Sequence, residues 1–84
     1  MRKIDCVITN PLGLHARPAG QLVKESSRFT SAITVICGER QGDGKKIFSL
    51  LSLGVKQGEL ITILAVGKDE EAAVAALEVL VQDF

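Results

Sequence analysis

Apolar and polar positions alternate over the first residues of the chain. Ile4, Cys6 and Ile8 fall on one side, and Lys3, Asp5 and Val7 on the other. A period of two is that of a half-buried strand, so about Arg2 to Thr9 is predicted to be one, with the first set facing the core. Pro11 and Gly13 break that pattern. A helical pattern replaces it from Ala16 to about Ser27, with Leu22 and Val23 on its inner stripe and Ala19 and Ser26 as small packing positions. Pro18 suits the first turn of a helix, where its missing N–H costs nothing. Gly20 lies inside the helix at a cost of about 1 kcal/mol relative to Ala. Its bare surface, one turn beyond Ala16 and Arg17, would let a partner approach.

Phe29 to Ser31 is a connection. Ala32 to Cys37 is the second strand, with Ile33 and Val35 inward, and a short third strand fits around Glu39 to Gly42 in a turn-rich stretch. Ile47 to Leu53 reads as a short helix stopped by Gly54. After a turn at 56–59, Leu60 to Val66 is the fourth strand. Asp69 is placed to cap a last helix whose positive end Glu70 and Glu71 complement. The buried stripe of that helix is Ala73, Val74, Leu77, Leu80 and Val81. Alternation sends Val7, Ile36, Leu64 and Val66 to the sheet face away from the helices. The order βαββαβα, with helices on one face of an antiparallel sheet, makes an α+β two-layer domain. Its 84 residues hold one such domain, residues 1–84.

Composition narrows the function. Ten basic and ten acidic residues cancel, and no basic run favours nucleic acid. Three Phe and no Trp or Tyr leave little for base stacking. No apolar run approaches the roughly 18 residues of a membrane span, and the charged N-terminus lacks a signal-peptide core, so no direct membrane insertion and a cytoplasmic location are expected. Cys6 and Cys37 are far apart and, with one histidine, do not form a zinc pattern. They are expected to be reduced, packed thiols.

The candidate chemistry lies in Asn10-Pro11-Leu12-Gly13-Leu14-His15-Ala16-Arg17-Pro18-Ala19, which holds the only histidine. His15 falls at or just before a helix N-terminus, where the free amides of Ala16, Arg17 and Pro18's turn attract an anion. Arg17 adds a forked donor suited to phosphate. A lone histidine and a Pro/Gly turn are individually ordinary. Together, an imidazole, free amides and a guanidinium make a plausible seat for a phosphoryl group carried on histidine.

The string Gly13-Leu14-His15-Ala16-Arg17-Pro18-Ala19 resembles the active-site signature of the HPr family, the histidine-containing phosphocarriers of the bacterial sugar phosphotransferase system. The resemblance extends over essentially the whole chain. It takes in Asn10, Phe29, Ile33-Thr34-Val35, the stretch Lys45 to Gly54, Gly58, Gly67 to Ala72 and the final apolar helix. It implies an open-faced β-sandwich of strand order 1-4-2-3 with three helices on one face. Cys6 and Cys37 would then be separated by the fourth strand, against a disulfide. It also implies that His15 accepts phosphate through Nδ1 from enzyme I and passes it to sugar-specific enzyme IIA components. Such a protein is a stoichiometric carrier rather than an enzyme and needs no metal or cofactor of its own; this chain is expected to be a monomer. Imidazole suits the task, being nucleophilic when neutral and a good leaving group afterwards near pH 7.

Docking would use Gly20, Val23, Lys24, Ser27, Ile47, Phe48 and Leu51, with Arg17, Lys24, Lys45 and Lys46 as a polar rim for an acidic partner. One position departs from many relatives. They carry a regulatory serine just before the short helix, where this chain has Lys46, so the kinase-controlled serine switch is expected to be absent. Two other readings share parts of the pattern. A phosphocarrier of a regulatory, nitrogen-linked branch would use the same His15 but a different donor enzyme. A regulatory binding module that has left transport would tend to lose the histidine, which this chain keeps.

Overall fold

The computed structural model describes all residues, Met1–Phe84. The elements run β1 (Arg2–Val7), α1 (Ala16–Ser26), β2 (Ala32–Cys37), β3 (Arg40–Asp43), α2 (Ile47–Leu51), β4 (Leu60–Val66) and α3 (Glu70–Val81). The four strands form one antiparallel sheet in the order β1-β4-β2-β3. β4 is central and nearly all apolar. Its inner residues Ile61, Ile63 and Ala65 are fully buried, while Leu60 and Val66 on the other face are about half exposed, at 50% and 49%. Alternation therefore assigns the faces as the sequence suggests, and leaves Val7, Leu60 and Val66 on a sheet face that no helix covers. Cys6 and Cys37, on β1 and β2 with β4 between them, are both free thiols.

The helices cover the opposite face. Leu22 of α1, Leu50 of α2 and Leu77 of α3 are wholly buried against Ile8, Val35, Ile61 and Ile63. Ala19 and Ser26 are buried in α1 as small residues, and the Ser26 hydroxyl has no hydrogen-bond partner. Val23, Val74 and Leu80 are only partly buried at the margin of this core.

Four boundaries differ from those expected. β1 ends at Val7: Ile8 still donates its amide to the Glu59 carbonyl opposite it (2.9 Å), and the pairing stops where Thr9 turns its amide to Phe84 (2.9 Å). α1 ends at Ser26, with Ser27 as its C-cap. β3 lies one residue later than Glu39 to Gly42, where its pairing with β2 runs from Arg40 opposite Cys37 to Asp43 opposite Thr34. α2 stops at Leu51, and tighter bonds from the Leu53 and Gly54 amides to Leu50 and Leu51 finish the turn.

Asp69 corrects a more specific expectation. It occupies the N-cap position of α3 but makes no capping bond. Its carboxylate instead accepts from the amides of Thr30 (2.8 Å) and Ser31 (2.9 Å) and from the Ser31 hydroxyl. These bonds tie the α1–β2 connection to the β4–α3 turn and hold the Asp69 carboxyl down at about 2, the Ser31 hydroxyl acting first and the Thr30 amide next. Glu70 reaches back to the Gly67 amide (3.1 Å) in the manner of a cap.

Candidate functional site

The loop between β1 and α1 is built by its own sequence and then pinned by a distant segment. The Asn10 carboxamide oxygen accepts from the Leu12 amide (2.9 Å), and the Asn10 carbonyl accepts from Gly13 (2.8 Å), so Asn10 closes the turn with side chain and backbone together. Gly13 has φ +68°, and a Cβ built there would lie 2.1 Å from the Val55 carbonyl oxygen. Only glycine satisfies both conditions. Next to it, the Leu14 amide donates to that same Val55 carbonyl (3.1 Å), and the Leu14 side chain is buried. Gln57 donates from its side chain to the Thr9 carbonyl (3.0 Å), and Gly58 donates its amide to Ile8 (2.7 Å). The amides of Thr9 and Asn10 converge on the Phe84 carbonyl.

This framework delivers His15 to the N-cap position of α1, in an extended conformation (φ −84°, ψ −173°), with its carbonyl accepting the first helical bond from Ala19 (3.0 Å). The His15 side chain caps nothing. It is half-buried, whereas Ala16 and Arg17 are exposed. The amides of Ala16 and Arg17 donate to no acceptor in the chain, as the first turn of a helix requires. Pro18 is buried and has no N–H, so it sets the backbone of this turn and offers an anion nothing directly. Arg2, Arg28 and Arg40 each pair with a glutamate, while Arg17 has no acidic partner. The helix end therefore gathers one imidazole, two free amides and one uncommitted guanidinium.

None of the surface depressions is lined by His15 or Arg17. The largest, about 650 Å³, lies between the β2–β3 edge and α2 and includes Thr30, Thr34, Gln41, Asp43, Lys45 and Ser49. A small-molecule enzyme encloses its substrate in a cleft. His15 stands on open surface, where another macromolecule can reach it.

Of the expected docking residues, Gly20, Val23, Lys24 and Ser27 follow helical spacing along one side of α1. That side runs toward α2, because a Cβ on Gly20 would sit 3.8 Å from Ile47 Cδ1. Part of the space above Gly20 is thus bordered by the chain itself. Phe48 is 81% exposed, while its neighbours Ile47 and Leu51 are partly buried against the core. Lys46 is exposed at the N-cap position of α2. Lys45 departs from the expected rim, since its ammonium donates to the Phe29 carbonyl just beyond α1 (2.7 Å). A cation there satisfies a carbonyl at the negative end of that helix. Arg17, Lys24 and Lys46 remain as uncommitted cations.

The Val55–Gly58 scaffold was not singled out from the sequence as part of the site. The turn chemistry of Asn10-Pro11-Leu12-Gly13 was legible as a signal, but the partner of Leu14 lies 41 residues away and no local pattern points to it.

The model of a known family, described as the phosphorylation site of the PTS HPr component, matches residues 3–83. The phosphocarrier protein HPr of Mycoplasma capricolum is 45% identical over 78 residues, which cover 93% of this chain and 88% of that protein. A solved mycoplasma histidine-containing phosphocarrier protein superimposes with a TM-score of 0.94 at 43% identity, covering 98% of this chain and 93% of that one. A solved HPr dimer from Thermoanaerobacter tengcongensis gives a TM-score of 0.77 at 40% identity, covering 99% and 95%. Strand order, the His15 helix end and these likenesses over nearly the full length converge, and the chain belongs to the HPr family of phosphotransferase-system phosphocarriers.

Proposed function

We propose that His15 is the residue of this chain that carries the phosphoryl group, and that it takes it from enzyme I and gives it to enzyme IIA components in the cytoplasm. The observation that carries this reading is the placement of His15 at the α1 N-terminus beside the unpaired Ala16 and Arg17 amides and the unpaired Arg17 guanidinium. The imidazole Nδ1 attacks the phosphorus of the donor's phosphohistidine, the bond to the donor nitrogen breaks, and the donor imidazole leaves. The positive helix end and Arg17 stabilise the incoming dianion. In the second transfer the imidazole of His15 is itself the leaving group. The chain is a reactant regenerated by the relay rather than a catalyst.

The Gly20–Ser27 side of α1 and the exposed Phe48, with Ile47 and Leu51 behind it, form the docking surface around the site. Arg17, Lys24 and Lys46 bring an acidic partner to it. Lys46 has no hydroxyl, so the serine switch of many relatives has no acceptor at this position, and the chain acts as a carrier only. It works as a monomer, with α1 and α2 free for docking.

The test is incubation with enzyme I, magnesium and phosphoenolpyruvate, followed by phosphorus NMR and intact mass. One phosphoryl group, labile in acid and stable in base, is expected on the native chain and none on His15→Ala. Uptake by His15→Ala at the native rate refutes the assignment.

A further inference from the structure

One side chain bonds to both ends of the loop scaffold, that of Arg40. Its guanidinium straddles the segment that pins the His15 loop. Nη1 donates to the Leu53 carbonyl at the start of that segment, and Nη2 donates to the Glu59 carboxylate at its end (2.8 Å) and to the Cys37 sulfur (3.1 Å). Glu59 closes the same segment from within, its other oxygen accepting the Lys56 amide (2.8 Å). Its backbone carbonyl holds Ile8 (2.9 Å). Between these two fixed ends stands the Val55 carbonyl, which receives the Leu14 amide and abuts Gly13. Leu14 immediately precedes His15.

We infer that Arg40 and Glu59 are a positioning pair for phosphoryl transfer, acting through Leu53–Glu59 on Leu14 and so on the angle at which His15 leaves the loop. The inference rests on His15 being the acceptor. Their side chains are 46% and 35% exposed, and an ion pair so open to water adds little to global stability. Its geometry is nonetheless specific, because one planar group bridges two points six residues apart in the chain. A lysine offers a single point charge and cannot span both. The Lys56 amide, helped by the Cys37 thiol and the Arg40 guanidinium, holds the Glu59 carboxyl below its ordinary range, so the pair stays ionised at neutral pH. In-line transfer is sensitive to displacement, and a misplacement near 1 Å costs on the order of a hundredfold in rate.

The experiment compares Arg40→Met, Arg40→Lys and Glu59→Gln with Arg2→Met, which removes a surface cation paired to Glu71 away from the loop. Two readouts are taken on each folded protein, the amide resonance and exchange rate of Leu14, and the transfer kinetics from phosphorylated enzyme I with kcat and KM resolved. In Arg40→Met the Leu14 amide should shift and exchange faster, and kcat should fall about tenfold with KM little changed. Arg40→Lys and Glu59→Gln should fall between that variant and the native chain, and these two decide the matter if Arg40→Met does not fold. Arg2→Met should match the native protein. Slower transfer without a change at Leu14, a loss confined to KM, or native kinetics in the Arg40 and Glu59 variants overturns the inference. If the native chain takes up no phosphoryl group, the His15 assignment fails instead, and the Leu14 readout still reports whether Arg40 holds the loop.

Discussion

On the proposed reading, His15 and Arg17 divide the chemistry between a reacting atom and a charge. The imidazole would form and lose the bond to phosphorus, and Arg17 would meet the oxygens. Arg17 is exposed and touches no acidic group, so its removal opens no cavity and strands no partner. Arg17→Ala should therefore leave the unfolding free energy within about 0.5 kcal/mol of the native value. Transfer should slow about tenfold or more, as for loss of a charged hydrogen bond worth roughly 1.5–3 kcal/mol. Rapid-quench measurement of phosphoryl uptake, beside a denaturant titration, separates the two effects. Unchanged kinetics would take Arg17 out of the site. Asn10 and Gly13 work on the same scale but through shape, one closing the turn with its side chain and the other admitting the Val55 carbonyl where any Cβ would collide.

At the scale of elements, α1 is a compromise between stability and use. Its N-cap is a histidine whose side chain caps nothing, and it has no acidic residue in its first turn to favour the helix end. Both omissions leave that end free for an anion. Gly20 adds a further cost in mid-helix. An Ala Cβ there would meet Ile47 at 3.8 Å, an ordinary contact. Gly20→Ala should accordingly stabilise the protein by up to about 1 kcal/mol, seen as a higher denaturant midpoint at constant slope. A lower midpoint would mean that α1 and α2 cannot accommodate the methyl. α2 is too short to be stable by itself. It is held by Leu50 in the core and by the Ser49 hydroxyl, which accepts the Asp43 amide (2.8 Å), and this anchoring lets Phe48 stand out from it.

In the whole molecule, Asp69 joins parts of the chain that local sequence leaves separate. Its carboxyl sits at about 2, below an ordinary value near 3.8, because the folded state donates three hydrogen bonds to the ionised form. The unfolded chain binds the proton more readily. The stabilisation is therefore fully present above about pH 4 and is lost as pH falls from about 4 through about 2. Melting temperatures measured across that interval should fall steeply for the native protein and less steeply for Asp69→Asn. Glu59 and Glu70, whose carboxyls are also held low by hydrogen bonds, leave a residual slope. Equal slopes in the two proteins would mean that Asp69 does not couple protonation to folding.

The element order and the sheet faces were legible because strand alternation and the helical stripe are local, and the core-facing residues Leu22, Ile61, Ile63 and Leu77 announce themselves by period alone. The His15 helix end was legible for the same reason: a turn signal, a proline in the first turn and a short specific string all lie within ten residues. The strand order came from family resemblance, since antiparallel pairing across a long connection leaves no periodic trace. Element ends shifted where a terminal residue left the regular pattern, as Thr9 did for Phe84 and Leu53 for a tighter bond to Leu50. Polar side chains were the least legible. Asp69 reads as a helix cap and Lys45 as a rim charge, and Arg40 carries no signal beyond its place in the short third strand. Each is committed instead to a group 13 to 39 residues away, Thr30, Phe29 and Leu53 respectively. A hydrophobic residue is assigned by a free energy that depends on burial alone and is averaged over its face. A polar residue goes to whichever donor or acceptor the fold happens to bring within 3 Å. The sequence by itself therefore determined the elements and the candidate acceptor, His15, and only the tertiary structure decided what holds that residue in place.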